Sequence, residues 1–377
     1  MATTRLASFN VENMFARPKV MGREPGTPAA PILAAHARVN SLISRDDYDA
    51  ATKTELLAQL KILGLLRTDT STYAQLRKIR GRFLTRRKSG RTEVTASGRE
   101  SWVGWVDLTT EPVSELSSRH IAQVMRDVGA HVLGVVEAEN RELLAAFSKS
   151  LLPSVGWTPY DQVLLIDGND SRGIDVGLLV RDGHTVTNIR THIYDRDASG
   201  VVFSRDCAEY HVHIENGPDM VVLVNHLKSK GYSTPGDSLG AKRRTRQAER
   251  IAGIYEDLLS AGAKYVAVVG DLNDDPTSRA LESLLDGTSL RDISELPNFE
   301  WGPRKGTYKG GNEKDKIDYV LLSPDLHAKA VGGGVFRKGV FRGERTRDKW
   351  PIYETLNDGV HAASDHAAIY ADIDWTK

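Results

Sequence analysis

Cysteine is almost missing from these 377 residues, with Cys207 standing alone. A single thiol cannot close a disulfide within the chain, so the fold has to be held by its core. The redox compartment is left open. Net charge is missing as well, since 50 basic and 50 acidic residues cancel. No global positive field points to a nucleic-acid partner, although a local patch can still recognise one. Long apolar runs are absent, and nothing approaches the roughly 20 residues that span a bilayer. The start, MATTRLASFN, has no apolar signal core. Read as native it predicts cytoplasmic residence, and with a signal already removed it predicts a secreted protein. Repeats, linkers and composition breaks are also lacking. One domain over 1–377 is expected, as a monomer, with an insertion-like region over about 17–105.

The chain has ample length for a core, burying roughly three quarters of its unfolded surface. Residues 4–10 read as a strand that ends in polar groups. The stretch 17–47, with Pro18, Pro25, Pro28 and Pro31, reads as a loop or a short surface segment. Residues 51–66 suit a helix, 77–99 are basic without a clear period, and 101–107 alternate like a strand. Ser114 or Ser117 is a candidate cap for a helix over about 115–128. A buried strand at 131–136 then delivers Glu137, and 220–225 carries His226 at its exit. The clearest helix is 240–260, apolar at Ile251, Ile254 and Leu258. Strand 264–269 leads into Gly270 and Asp271, a short helix covers about 277–285, and 317–322 is a strand. Residues 331–362 read as a long loop before a closing strand at 367–372. Many short strands with few helices do not fit a doubly wound βαβ rhythm. Two stacked sheets with helices outside fit better.

Four strand-like runs end in chemically capable groups: Asn10, Glu137, His226 and Asp271. Asp318 and the pair Asp365–His366 flank two further strands. Each alone has an ordinary reading, because Asp after Gly forms turns and a strand-end His is usually satisfied by a carbonyl. Their repetition at strand ends, where scaffolds place reactive groups, points to a site. Hydrolysis of a phosphodiester needs a hard cation, an oriented water, and donors on the non-bridging oxygens. Glu137 and Asp365 are hard ligands, and Asn10 can add a carbonyl. Asp271 and Asn273 can together address one water or phosphate. His366 beside a carboxylate such as Asp318 would be an oriented imidazole. His226 can donate to a phosphate oxygen or to the leaving group.

The segments SFNVEN (8–13), GVVEAEN (134–140), RGIDVGLLV (172–180), VNHLKSKG (224–231), GDLNDDP (270–276), DKIDYVLL (315–322) and SDH (364–366) follow one another along nearly the whole chain. In that order they resemble the endonuclease/exonuclease/phosphatase superfamily, the DNase I-like fold, and most of all its bacterial nuclease-like branch. The resemblance implies a four-layer α/β-sandwich of two stacked mixed β-sheets flanked by helices. It implies that Glu137 binds metal with Asn10 and Asp365 beside it, and Glu12 is a weaker candidate ligand. It assigns water activation and phosphate positioning to Asp271 and Asn273, support of His366 to Asp318, and phosphate contact to His366. His226 resembles the first histidine of the DNase-like branch, and Asp175 is the candidate for its acidic partner. Where the family usually has glutamine before the glutamate this chain has Val136, a departure that touches support of the ligand rather than ligation.

Lys228, Lys230, Arg243 and Arg246 form a candidate phosphate-binding rim around His226, with Arg172 a further candidate for phosphate contact, and the alternative is that the basic helix face is a solvated surface. Trp301, Trp350 and Tyr308 sit in loops that can stack a base, although loop aromatics more often pin loops to the body. Oxygen ligation predicts Mg2+, with Mn2+ compatible. The expected activity is a metal-dependent phosphodiester hydrolase acting on DNA or RNA. A phosphodiesterase or phosphatase for a small or lipid phosphoester is the alternative. A binding module without chemistry ranks last, because every expected catalytic residue type is present.

Overall fold

The apolar run ahead of Glu137 forms the strand Val132–Ala138, and its two faces serve two different cores. Leu133 and Val135 pack outward against Ile121, Met125, Leu144 and Phe147. These belong to the helices Glu115–Val128 and Arg141–Ser154. Val132 and Val136 pack inward against Val222, Val224 and Val269 of a second sheet. Gly134 shares the inward face. A Cβ there would lie 2.9 Å from Val269 Cγ2, so only glycine lets the sheets approach this closely. Each fully buried Val or Leu in such a layer contributes about 1.5–3 kcal/mol.

The computed structural model describes residues 3–14, 29–109, 115–170, 172–231, 236–342 and 350–377. The chain divides into two compact units, Met1–Phe15 with Val113–Lys377, and Ala16–Pro112. In the first unit, one six-stranded sheet runs Ala330–Phe336, Ala368–Asp374, Thr3–Met14, Val132–Ala138, Asp175–Val180, Gln162–Ile166. The other runs Arg291–Asp292, Asp318–Leu322, Val266–Asp271, Met220–His226, Cys207–His213, Thr185–Arg190. Each sheet has a parallel pair at its centre, Thr3–Met14 with Val132–Ala138 and Met220–His226 with Val266–Asp271, and is antiparallel elsewhere. The helix Ala241–Ser260 covers the second sheet, setting Ile251, Ile254 and Leu258 against Leu223, Val268 and Leu321. Helices, sheet, sheet and helix make the four-layer sandwich with mixed sheets that the strand pattern and the family resemblance imply. Among the described residues no helix is long and apolar enough to cross a membrane.

The unit Ala16–Pro112 has its own core. Val39 and Leu42 of helix Ala29–Ile43 meet Leu56 and Leu60 of helix Ala50–Ile62. Phe83 stacks on Trp102 with ring centroids 4.2 Å apart. A ribbon pairs Ala74–Gly81 with Trp102–Leu108, and a small hairpin pairs Leu84–Arg86 with Thr92–Val94.

Several local expectations change. Residues 17–28 lie outside the described residues, but 29–43 is helical rather than a loop. Pro31 is tolerated because first-turn N–H groups have no acceptor within the helix. The helix expected over 51–66 stops at Ile62, with Gly64 at φ +71 just beyond. The aperiodic basic stretch 77–99 contains strands. The short helix near 277–285 is reduced to Glu282–Leu285. The loop expected from 331 opens as strand Ala330–Phe336, whose three successive glycines hide its alternation. Ser114 lies outside the described residues, and the Ser117 hydroxyl donates to the Ala362 carbonyl instead of capping a helix.

Candidate active site

The C-terminal ends of the two parallel pairs meet at one cavity of about 350 Å3. Glu137 and Glu12 reach it from the first sheet, His226 and Asp271 from the second. His226 and Asp271 are register partners on adjacent strands. The antiparallel strand Asp318–Leu322 sets Asp318 directly opposite Asp271. Asp365 and His366 come from the turn that precedes strand Ala368–Asp374. Gly270 makes the pairing possible. Its φ is +135, and a Cβ would fall 1.9 Å from the Asn225 carbonyl oxygen. Three residues of the site, Glu12, Glu137 and Asn273, hold left-handed φ values of 49, 68 and 55. Such backbone costs of order 1–3 kcal/mol per residue and persists only where its surroundings enforce it.

Asp271 is held from three sides. Its Oδ1 accepts the Asn273 backbone N–H at 2.8 Å, and its Oδ2 accepts the side-chain amides of Asn273 and Asn10 at 3.2 Å each. Asn10 is 1% exposed, and its carbonyl oxygen accepts the Glu12 N–H at 3.0 Å. Its observed task is therefore to hold Asp271 and the backbone of Glu12. Burial pushes the Asp271 carboxyl up to about 7; the charge of His366 opposes this, while Asp318 and Glu137 reinforce it. Burial works against a charge on His366, yet Asp318 and Asp271 outweigh it and raise this imidazole to about 10. His366 Nδ1 lies 2.9 Å from Asp318 Oδ2, leaving Nε2 3.8 Å from Asp271 Oδ2. His226 is the opposite case. Burial, with the nearby guanidiniums of Arg205 and Arg172, drives it well below its ordinary value and keeps it neutral. Its Nε2 lies 3.6 Å from Glu137 Oε1 and 3.7 Å from Asp271 Oδ2.

The expected pair of Asp175 with His226 does not form. Asp175 Oδ1 accepts the Gly168 N–H at 2.8 Å, and among the described residues His226 Nδ1 has no hydrogen-bond partner. Asp175 opens its strand in register with Ala138, and burial together with Asp167 and Asp170 raises it to about 7. Arg243 is a second correction. It does not line the cavity, its backbone N–H is held by Asp237, and its Nε points at the Val202 carbonyl 3.4 Å away. Arg246 is paired with Asp197. Lys230 does line the cavity, with Nζ 2.5 Å from Asp274, itself held by Arg244 at 2.8 Å. Lys228 is half-buried behind it, its pKa lowered by burial and by Arg205 and Arg172. Arg172 lines the cavity and donates to Asp170 from Nε and Nη2 at 3.0 Å each.

Arg205 escaped the sequence reading. It is 1% exposed, lines the cavity, and places Nε 3.1 Å from Asp170 Oδ2 but off the hydrogen-bond direction. Asp170 thus ties down both arginines. The available signal was an Arg–Asp step just before the largely buried strand Cys207–His213, where a charge is costly unless it is paired. Tyr308 also lines the cavity, its ring 4.7 Å from that of His366. Trp350 is buried and donates to the Val340 carbonyl, so it pins a loop, and Trp301 lines a different pocket. Val136 is wholly buried between the sheets.

Glu12 accepts the Asp365 N–H at 2.8 Å, and burial with the Asp365 charge raises its carboxyl to about 7. Glu137, His226 and Asp271 offer one ligand atom each within 4.8 Å of one another, as do Asp271, Asp318 and His366. In the second group the imidazole already neutralises Asp318. The first group suits a divalent cation better, because it sets the carboxylates of Glu137 and Asp271 beside the neutral imidazole of His226. Glu12 and Asp365 stand next to it on the cavity wall.

The profile of the Endonuclease/Exonuclease/phosphatase family matches residues 90–331 of the chain. No curated protein sequence gives a significant match. Among solved structures, an endonuclease/exonuclease/phosphatase family protein from Bacteroides thetaiotaomicron superposes with a TM-score of 0.52 at 13% identity, over 98% of this chain and 97% of that one. A mannosyl-6-phosphatase from the same organism gives 0.49 at 16% identity, over 68% of this chain and 89% of that one. The catalytic domain of human Nocturnin with bound sulfate gives 0.47 at 14% identity, over 70% and 88%.

Proposed function

This chain belongs to the endonuclease/exonuclease/phosphatase family, and we propose that it is a nuclease that hydrolyses phosphodiester bonds of DNA or RNA. It has the fold and the ligand groups of a metal-dependent phosphoesterase. The nuclease reading rests on the division of labour in the cavity. One wall holds the carboxylates Glu137 and Asp271, and another holds the guanidiniums of Arg172 and Arg205. A phosphodiester, with its single negative charge, can sit between the two walls, its non-bridging oxygens toward the guanidiniums.

Asp271, its carboxyl near 7 and fixed by Asn10 and Asn273, is suited to take a proton from an attacking water. Asn273 orients that water or a phosphate oxygen. His366, cationic and held by Asp318, is suited to stabilise charge on the phosphoryl oxygens. Neutral His226 can donate to the leaving group or share a cation with Glu137. Arg172, Arg205 and Lys230 are the groups placed for phosphate contact. Glu137, with Glu12 and Asp365 nearby on the cavity wall, would hold a divalent ion beside Asp271, Mg2+ by preference and Mn2+ as a compatible substitute. When bound, the ion supplies charge neutralisation on the phosphate and lowers the pKa of a water.

One observation favours the second reading, a small or lipid phosphoester. A cavity of about 350 Å3 lies at the small-molecule end of the usual range. The distinguishing experiment measures Mg2+-dependent hydrolysis, with an EDTA control, of duplex DNA, single-stranded DNA, RNA and a bis-aryl phosphodiester. Cleavage of the polymers supports the nuclease. Turnover of the aryl diester alone moves the substrate to the small-molecule class.

A further inference from the structure

The neutral total of the chain conceals a segregation of charge. Residues 16–112 hold 17 basic and 10 acidic side chains, a formal +7, so the remainder of the chain carries −7. The excess is concentrated further, because residues 77–91 contain eight Arg or Lys and no Asp or Glu. Some of these charges are answered locally: Arg77 by Asp107, Arg86 by Asp69, Arg87 and Arg91 by Glu93. Lys78, Arg80, Arg82 and Lys88 are exposed and have no ion pair among the described residues.

The fold puts this charge on a defined surface. In the ribbon of Ala74–Gly81 with Trp102–Leu108, Arg77 lies opposite Trp105 and Arg80 opposite Val103. The register slips between Lys78 and Arg80, and Ile79 is left 68% exposed. Trp105 is 42% exposed, although its N–H is already satisfied by Asp107 Oδ1 at 2.6 Å. An indole fixed through its own hydrogen bond has only its ring surface left to offer a partner. Beside it runs a groove of about 370 Å3, lined by His36, Asn40, Arg99, Val103 and Trp105.

We propose that this ribbon is a second binding site, for single-stranded nucleic acid. Arg80, on the ribbon face of Trp105, and Arg82 beyond it hold phosphates while Trp105 stacks a base, and Lys78, opposite Gly104 on the other face, adds its charge at the edge of the ribbon. Cations that track a backbone beside an aromatic platform are the usual elements of single-strand recognition, and a base inside a duplex has no free face to stack. The choice of nucleic acid over another polyanion rests on the nuclease reading. A second point of attachment in the same chain raises the effective concentration of a bound polymer for the first.

The test uses the full-length chain carrying Asp271→Asn, so that binding is read without cleavage. Fluorescence anisotropy would compare a labelled single-stranded 20-mer, as DNA and as RNA, with the same sequence as duplex. Phosphatidylglycerol vesicles would be followed by sedimentation. The combined Lys78→Ala, Arg80→Ala and Arg82→Ala variant should bind the single strand at least about tenfold more weakly, and its log–log salt slope should be shallower by about 2. Trp105→Ala should weaken binding about tenfold. Far-UV circular dichroism melts should not change, because all four side chains are exposed. Wild-type binding by the triple variant, duplex bound as tightly as single strand, or an effect confined to vesicles would overturn the site. Oligonucleotide binding by a chain that, with Asp271 intact, cleaves none of them would sink the nuclease reading and leave this site standing.

Discussion

The oxygen of Asp318 that faces His366 Nδ1 at 2.9 Å also accepts the Thr307 hydroxyl at 2.6 Å. One carboxylate therefore fixes the ring, directs Nε2 toward Asp271, and is itself fixed by a side chain from the preceding loop. Asp318→Asn can retain a hydrogen bond but not the charge that keeps His366 cationic. It is expected to lower kcat by about 10²–10⁴ with little change in KM. Steady-state kinetics on whichever diester the wild type turns over would decide this, and an unchanged kcat would remove the dyad from the mechanism.

Asp175 is 3% exposed and its carboxyl is raised to about 7, so its ionised form is disfavoured in the fold. For an acid shifted upward, the penalty is absent below the unfolded value near 4, grows as pH rises, and is complete above about 7. Asp175→Asn keeps an acceptor for the Gly168 N–H and should stabilise the protein by about 1–3 kcal/mol at pH 8. At pH 4 it should have little effect. Thermal melts at the two pH values test this, and the same change in Tm at both would show that ionisation is not the cause. Turnover should stay within about tenfold of wild type, since Asp175 does not hold His226.

Glu137 sits at φ 68, where a Cβ is unwelcome and glycine is at ease. Both Glu137→Ala and Glu137→Gly should lose activity, but the glycine variant should be the more stable by about 1 kcal/mol. Denaturant titration of the two proteins gives the difference directly. If alanine proves equal or better, the backbone carries no strain at that position.

Divalent metal should stabilise as well as activate. At a concentration one hundred times its Kd, Mg2+ should add about 2.7 kcal/mol of stability, and EDTA should remove both this and the hydrolysis. Glu137→Gln should melt at the same temperature with and without the ion. A variant whose Tm still rises with Mg2+ would place the ion elsewhere.

The sequence made the layout of the site legible where chemistry and buried strands coincide. Apolar runs that stop abruptly at Asn10, Glu137, His226 and Asp271 each have an ordinary reading alone, but their repetition does not, and the register of the two parallel pairs brings these ends together. Partnerships across the fold were harder to read. Asp175 and His226 both end up near the cavity, but which groups touch is decided by the angle at which strands leave a sheet, and no spacing in the chain encodes it. Arg205 and Asp170 form a buried ion pair between distant loops, and such a pair has no periodicity to detect. Pro31 and the three glycines of Ala330–Phe336 concealed a helix and a strand because local propensity was overridden by packing. The balanced total charge hid the basic ribbon, because a sum carries no position.

The most direct test of the catalytic assignment is metal-dependent cleavage of a labelled oligonucleotide by wild type and Asp271→Asn in parallel, with melting curves for both. Asn10 and Asn273 fix Asp271, whose carboxyl burial raises to about 7, within 3.8 Å of His366 Nε2. The variant should fold normally and cleave at least about 10³-fold more slowly, as expected for loss of a general base. Cleavage at a near-normal rate by a folded Asp271→Asn protein would contradict the account.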